Sequence, residues 1–414
     1  MNKYKDSGVK WMGEIPSHWK TVRLKRTVNL VNEKSTGNGI PYIALENIES
    51  YTGRLLPLSN IEPDSTCNSF KTNDVLFCKL RPYLTKCVLA PYDGKCTSEL
   101  LVLRNFSGDT DFLHYILLSP NLVADINAST YGSKMPRANW NYIGSCAIPI
   151  PFISEQRAIV SYLNNKVSKI DKYISTAEKK IAALDELKQV TIADAVTHGI
   201  NPNASMKDSA IPWIGMVPEH WEVKRAAIMF SENKNKNSKY EFSHAFKFNC
   251  GTLVPKDETG DVSEYRDTYE AYTIIKKNDI AINCLNLNYD FVSQRVAISP
   301  NKGILTSAYL IITPRNGVNP YYYNYLFKAM DSKKLFHGMG TGIRLTLSYT
   351  ELKKQFLPNP SFTEQDEIVA YIDRKVAQID KMKVLELAQI DKLKEYKQRL
   401  ISDVVTGKVK VTNE

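Results

Sequence analysis

Two loops hold the side chains best suited to chemistry in this chain. The first runs Tyr131-Gly132-Ser133-Lys134-Met135-Pro136-Arg137-Ala138-Asn139-Trp140-Asn141, and the second runs from Gly338 to Tyr349. Both mix glycine with basic and amide residues. Glycine lets a backbone approach a ligand closely, arginine can fork onto a guanine edge, and an asparagine amide can pair with adenine. Lysine neutralises phosphate without reading sequence. The chemistry on offer is recognition of a polyanion rather than bond making.

Catalytic alternatives are weaker. His18 and His220 could act as acid or base, but no carboxylate or nucleophile recurs beside both in the sequence, so each is expected to be a structural neighbour of the tryptophans around it. Asn359-Pro360-Ser361-Phe362 resembles the Asn-Pro-Pro-Phe motif of DNA methyltransferases but lacks its second proline. Gly338-x-Gly340-x-Gly342 has no strand-loop-helix unit to support a cofactor. Pro63-Asp64 with Asp93-Gly94-Lys95 loosely fits a nuclease pattern, yet Asp93-Gly94 suits a strand-joining turn better. There is no Walker A sequence. The seven cysteines never form Cys-x-x-Cys, so buried, reduced thiols are expected, and neither a disulfide framework nor a metal site.

The 414 residues carry 54 Lys and Arg against 44 Asp and Glu, a net charge of +10, which favours a polyanionic partner. No basic-then-apolar segment opens the chain and no apolar run has membrane-spanning length, so a cytoplasmic address and no membrane partner are expected.

The elements that must position these loops are written twice. Trp11-Met12-Gly13-Glu14-Ile15-Pro16-Ser17-His18-Trp19 returns as Trp213-Ile214-Gly215-Met216-Val217-Pro218-Glu219-His220-Trp221, at an offset of 202. Pro149-x-Pro151 with Glu155-Gln156 returns as Pro358-x-Pro360 with Glu364-Gln365, at an offset of 209. Asp194-x-Val196-Thr197 and Asp403-x-Val405-Thr406 close the two copies. Each half thus has a tryptophan-containing lead-in, a globular body and a long helix. The bodies, roughly 20–150 and 222–360, diverge, which suggests two readers with different targets.

From Ser154 to about His198 neither proline nor glycine occurs, with Ser154 the expected cap. Leu163, Val167, Ile170, Ile174, Ala177, Ile181 and Leu184 form a heptad seam. A second helix is expected from Thr363 to about Thr406, with Thr363 and Asp366 resembling a capping box. Its seam, Ile372, Val376 and Ile379, meets Lys383 and Glu386 before resuming at Ile390 and Leu393, so imperfect or shared pairing is expected there. At ~1.5 Å per residue each helix is about 66 Å long. Antiparallel pairing within the chain would make a ruler between the bodies.

Both bodies read as mixed α/β. Strands are expected at Asp74–Leu80, Cys87–Ala90 and Thr97–Leu103, with a helix over Phe112–Leu118. The second body echoes them at Asp279–Ile282, Ser293–Ile298 and Ser307–Thr313, with a helix over Tyr321–Met330. Residues 20–153 hold 14 basic and 11 acidic side chains, and residues 222–362 hold 19 and 13, so the bodies carry +3 and +6.

The duplicated Trp-x-Gly-x-x-Pro-x-x-Trp lead-ins, the Lys79-Leu80-Arg81-Pro82-Tyr83-Leu84 stretch, the Glu-Gln helix starts and the two-body, two-helix order together resemble the specificity (S) subunits of type I restriction-modification systems over nearly the whole chain. The resemblance implies an α+β fold: two tandem mixed α/β target-recognition domains separated by two long antiparallel helices in a pseudo-two-fold repeat. The domains would be residues 1–153 and 201–362, with a central helix over 154–200 and a distal helix and tail over 363–414. It further implies a non-catalytic subunit that reads a bipartite DNA site, one domain per half-site. Two methyltransferase subunits and two restriction (motor) subunits would dock on it and bring S-adenosylmethionine, ATP and Mg²⁺, leaving no cofactor in this chain. Candidate DNA contacts are Lys79, Arg81, Lys86, Ser133, Lys134, Arg137 and Asn139 in the first body. In the second they are Asn286, Asn288, Arg295, Gly342, Arg344, Thr346 and Lys353. The second body departs from the family's pattern, offering Asn283-Cys284-Leu285-Asn286-Leu287-Asn288 where the first has Lys-Leu-Arg-Pro-Tyr.

Overall fold

The computed structural model describes residues 3–35, 39–58, 67–257, 262–292, 294–342 and 345–411. Pro63-Asp64, Ser293 and Arg344 lie outside the described residues. The chain forms two compact units, and the cut passes through both long helices. One unit is 1–178 with 386–414; the other is 179–385. Each unit therefore holds one body and a segment of each helix.

In the first unit the lead-in is a hairpin, Tyr4–Asp6 against Glu14–Pro16. The central sheet orders Asn29–Val31, Leu100–Arg104, Val75–Cys78 and Cys87–Leu89, all antiparallel. A second four-stranded sheet of short strands contains one parallel pair, Gly94–Cys96 with Tyr42–Ile43. Helix Thr110–Leu117 is capped by Asp109, whose side chain accepts from the Phe112 N–H. It buries Phe112, Leu113, Tyr115, Ile116 and Leu117, the apolar face a half-buried helix needs. Lys20–Arg23 pairs with Ala147–Ile150 just before the first long helix.

The second unit repeats this order. Its lead-in hairpin is Met206–Asp208 with Met216–Pro218. Its main sheet orders Phe230–Glu232, Leu310–Pro314, Ile280–Ile282 and Val296–Ile298. Asn319 caps helix Pro320–Ser332, and Glu222–Arg225 pairs with Phe356–Asn359. A turn inside the bodies also recurs: Asp74 and Asp279 each accept from a backbone N–H three residues earlier, with Asn73 and Asn278 at positive φ before them. Asparagine tolerates that left-handed conformation better than most residues.

The long helices span Ile153–His198 and Phe362–Val405. Both begin earlier than the sequence suggested. Ser361, not Thr363, caps the second, its Oγ accepting from the Glu364 N–H at 3.2 Å. In the first, the Glu155 side chain folds back onto the Phe152 N–H at 3.1 Å. Ser154 loses to these arrangements because it already lies inside the first turn.

Within each unit the helix segments run antiparallel. In the first, Ser154, Glu155 and Ile159 share a cavity with Gly407 and Val409, while further along Lys397 meets Asp171 at 2.7 Å. In the second, Lys188 pairs with Asp380 at 2.9 Å and Lys383 pairs with Asp185. The seam positions Leu163, Val167, Ile170, Ile174, Ala177 and Leu184 are buried, as are Ile372, Ile379 and Ile390. The polar break in the second seam has an intramolecular answer at Lys383, whose ammonium sits on Asp185. Lys397 is 3% exposed and still charged-paired, a geometry that needs its partner.

Six of the seven cysteines are buried, and only Cys250 is exposed. Burial pushes the Cys96, Cys146 and Cys284 thiols up to about 12, so they stay protonated and unreactive.

Candidate nucleic-acid interface

The glutamate and glutamine that open each long helix form a clamp, built twice. Glu155 lies 2.8 Å from His18 Nε2 and accepts from Trp19 Nε1 at 3.3 Å. Glu364 lies 2.9 Å from His220 Nε2 and accepts from Trp221 Nε1 at 2.9 Å. Gln156 donates to the Pro151 carbonyl and accepts from the Asp109 N–H; Gln365 does the same with Pro360 and Asn319. Each helix start is thereby tied to the lead-in and to the cap of its body's own helix. Burial opposes ionisation of Glu155, but hydrogen bonds from His18, Trp19 and the Phe152 N–H outweigh it and hold the carboxyl below its usual range.

This corrects the sequence reading of the histidines. A carboxylate does recur beside both, supplied from more than 130 residues away. Burial of Trp19 at 3% and Trp221 at 1% makes the pair a packing device with a polar handle. Gly199 and Gly407 complete it. Both sit at positive φ, against Trp221 and against Trp19 with Pro16 respectively.

On each body two loops meet and form a rim. In the first, Ala138 N–H donates to the Lys79 carbonyl at 2.9 Å and Arg81 N–H to the Pro136 carbonyl at 2.7 Å. In the second, Leu347 N–H donates to Cys284 O at 3.4 Å and Leu287 N–H to Leu345 O at 3.3 Å. The same two chain regions are joined in each case: the stretch after a central strand and the loop before the long helix. Arg81 and Asn286 both adopt positive φ, 48° and 54°, so the second body keeps the geometry without the Lys-Leu-Arg-Pro-Tyr sequence.

The side chains on the two rims differ. Arg81, Ser133, Lys134 and Asn139 are exposed on the first, with Tyr83 at 45% and Tyr131 at 63%. Asn139 caps a short helix, accepting from the Asn141 N–H. Arg137 grips Glu99 through two nitrogens at 3.0 and 3.2 Å. Lys79 is half-buried, and Lys86 turns inward to the Leu45 carbonyl at 2.5 Å.

On the second rim Asn286, Gly342, Thr346 and Lys353 are exposed and Asn288 is half-buried. Thr346 pairs with Thr341 in a small bridge that closes the glycine loop. Arg295 is a correction, because it is 0% exposed and cannot reach a ligand. Its guanidinium donates to the carbonyls of Asn283 at 3.1 Å, Leu285 at 2.7 Å, Asn286 at 3.4 Å and Asp290 at 2.7 Å. It is the internal anchor of the loop. Sequence reading took a strand arginine for a contact because exposure is not written in residue type. It also missed the loop's exposed tip, Tyr289 at 79%, Phe291 at 54% and Val292 at 92%, which only an apolar run inside a polar loop could have signalled.

The chain thus holds two α+β bodies, each clamped to the start of a long helix and each bearing a two-loop rim. No protein-family model matches the chain. It is 26% identical over 204 residues to the Escherichia coli type I restriction enzyme EcoDI specificity subunit, a match covering 47% of this chain and 45% of that protein. It is 22% identical to the Methanocaldococcus jannaschii type I restriction enzyme MjaVIII specificity subunit, across 100% of this chain and 98% of that one. Among solved structures, a chain from a type I R-M system complex aligns with TM-score 0.70 at 16% identity, covering 95% and 99% of the two chains. The HsdS subunit from Thermoanaerobacter tengcongensis aligns with TM-score 0.52 at 16% identity, covering 95% and 98%. Over its whole length the chain is similar in sequence to type I restriction enzyme specificity subunits, and its fold is that of the HsdS structures.

Proposed function

We propose that this chain is the sequence-specific DNA-binding subunit of a type I restriction-modification complex, and that each rim reads one half of a bipartite target. The observation carrying this is a contrast: the Glu-Gln clamps are duplicated side chain by side chain, while the exposed rims share geometry and not residues. A duplicated frame with unlike contact surfaces suits two half-sites of unlike sequence. In the first rim Arg81, Lys134 and Asn139 face the duplex. In the second Asn286, Thr346 and the backbone at Gly342 do, with Arg344 a further candidate.

The long helices serve as the spacer and as the docking ground for two methyltransferase and two restriction subunits. S-adenosylmethionine, ATP and Mg²⁺ belong to those partners, and this chain performs no bond making. No helix among the described residues is long and apolar enough to cross a membrane, and the complex acts in the cytoplasm, where its DNA is. Sequencing the methylome of cells with and without the gene tests the proposal. A two-part motif with a fixed gap, present only with the gene, is expected. A continuous motif, or an unchanged methylome, would overturn it.

A further inference from the structure

The loop Asn283–Val292 of the second body spends unusual internal resources on holding apolar groups in solvent. A fully buried guanidinium satisfies four of its carbonyls, and Asp331, 5% exposed, accepts from the Arg295 N–H at 2.8 Å beneath it. His337 adds a contact to the Asp290 carbonyl at 3.2 Å, and its ring stacks on Phe291 with centroids 4.6 Å apart and planes 18° apart. Above this footing stand Tyr289 and Val292, 79% and 92% exposed. Large exposed apolar groups on a rigid support mark a binding feature.

Its shape narrows the occupant. Leu285, Tyr289, Phe291 and Val292 are interspersed with Asn286, Asn288 and Asp290, giving a ridge bordered by amides rather than a broad apolar face. It adjoins the glycine loop through Leu287 and Leu345, with Lys333 and Lys334 just before the 3₁₀ turn that holds His337. The body around it carries a surplus of basic over acidic residues. A narrow aromatic ridge in a cationic setting fits the π-face of a base, and side chains of this kind act as wedges that unstack and kink duplexes. Unstacking costs a few kcal/mol, so a wedge fixed before binding loses less than one that must be ordered on arrival.

We propose that Tyr289 and Val292 form an apolar wedge that inserts at a base step of the half-site read by the second body, with Phe291 as its footing. This rests on the DNA-reading role proposed above. The second body thereby selects its half-site in part by how readily one step unstacks.

The test uses the full chain assembled with its methyltransferase subunits and duplexes carrying 2-aminopurine, scanned through the second body's half-site while leaving out the methylated base. Wild type is expected to brighten the probe several-fold at one step. Tyr289→Ala with Val292→Ala should abolish that signal and weaken binding about 10- to 100-fold, as loss of base stacking does, and equally at low and high salt. Tyr289→Phe should retain both. Tight wild-type binding with no brightening, or brightening that survives in the double variant, overturns the wedge alone. Absence of any sequence preference in wild-type binding overturns the wedge and the DNA-reading role together.

Discussion

The two rims solve one structural problem by opposite means. The first body ties its loops together at the surface, where Arg137 grips Glu99 and Arg81 stays free to project. The second ties its loop from within, through Arg295, and leaves amides and aromatics outside. An arginine near the end of a strand is thus a surface group in one body and a core group in the other. Target specificity can diverge in such a protein because the clamp geometry at Glu155-Gln156 and Glu364-Gln365 is carried by residues outside the rims.

The strongest way to break this comparison is to remove the two arginines separately. Arg295→Met leaves several loop carbonyls without their donor and should destabilise the second unit by about 3 kcal/mol, read by chemical denaturation. Arg81→Ala should leave stability within about 0.5 kcal/mol and instead lower DNA affinity, reducing the salt slope by about 1. Equal losses of stability would refute the division of roles.

Much of the frame was legible beforehand. Tryptophan lead-ins, Glu-Gln helix starts and the seam from Leu163 to Leu184 are rare residues or strict periods, and such signals survive without coordinates. What escaped depended on partners distant in sequence. Glu155 reaches His18 across 137 residues, and Arg295 finds its carbonyls only after the loop folds over it. Lys383 read as a break in the seam because Asp185 lies on the other helix. Loop contacts were the least legible part, since exposure separates Arg81 from Arg295 and residue type does not.

Acid should separate the bodies further. Burial, aided by the charge of Lys397, pushes His114 down to about 4 against its hydrogen bond to the Cys87 carbonyl. Five residues after the corresponding cap, the second body has Asn324, which does not titrate. The unfolded chain takes up this proton near pH 6.5 and the folded one only near 4, so stability falls as pH drops through that window. The expected loss is about 3 kcal/mol in the first unit, and His114→Gln should flatten it. A pH profile unchanged by that substitution would rule the histidine out as the cause.

The clamps should show the opposite of divergence. Glu155→Gln and Glu364→Gln each weaken hydrogen bonds to a histidine and a tryptophan, and each should cost about 1 kcal/mol. Costs that differ several-fold would mean that the repeat is similar in geometry but not in energy.

The central claim, one frame carrying two independent readers, is tested most directly by replacing residues 222–360 with the equivalent body of another specificity subunit and sequencing the methylome. One half of the motif should change, while the other half and the gap between them stay as they were. A motif altered in both halves, or not at all, would contradict it.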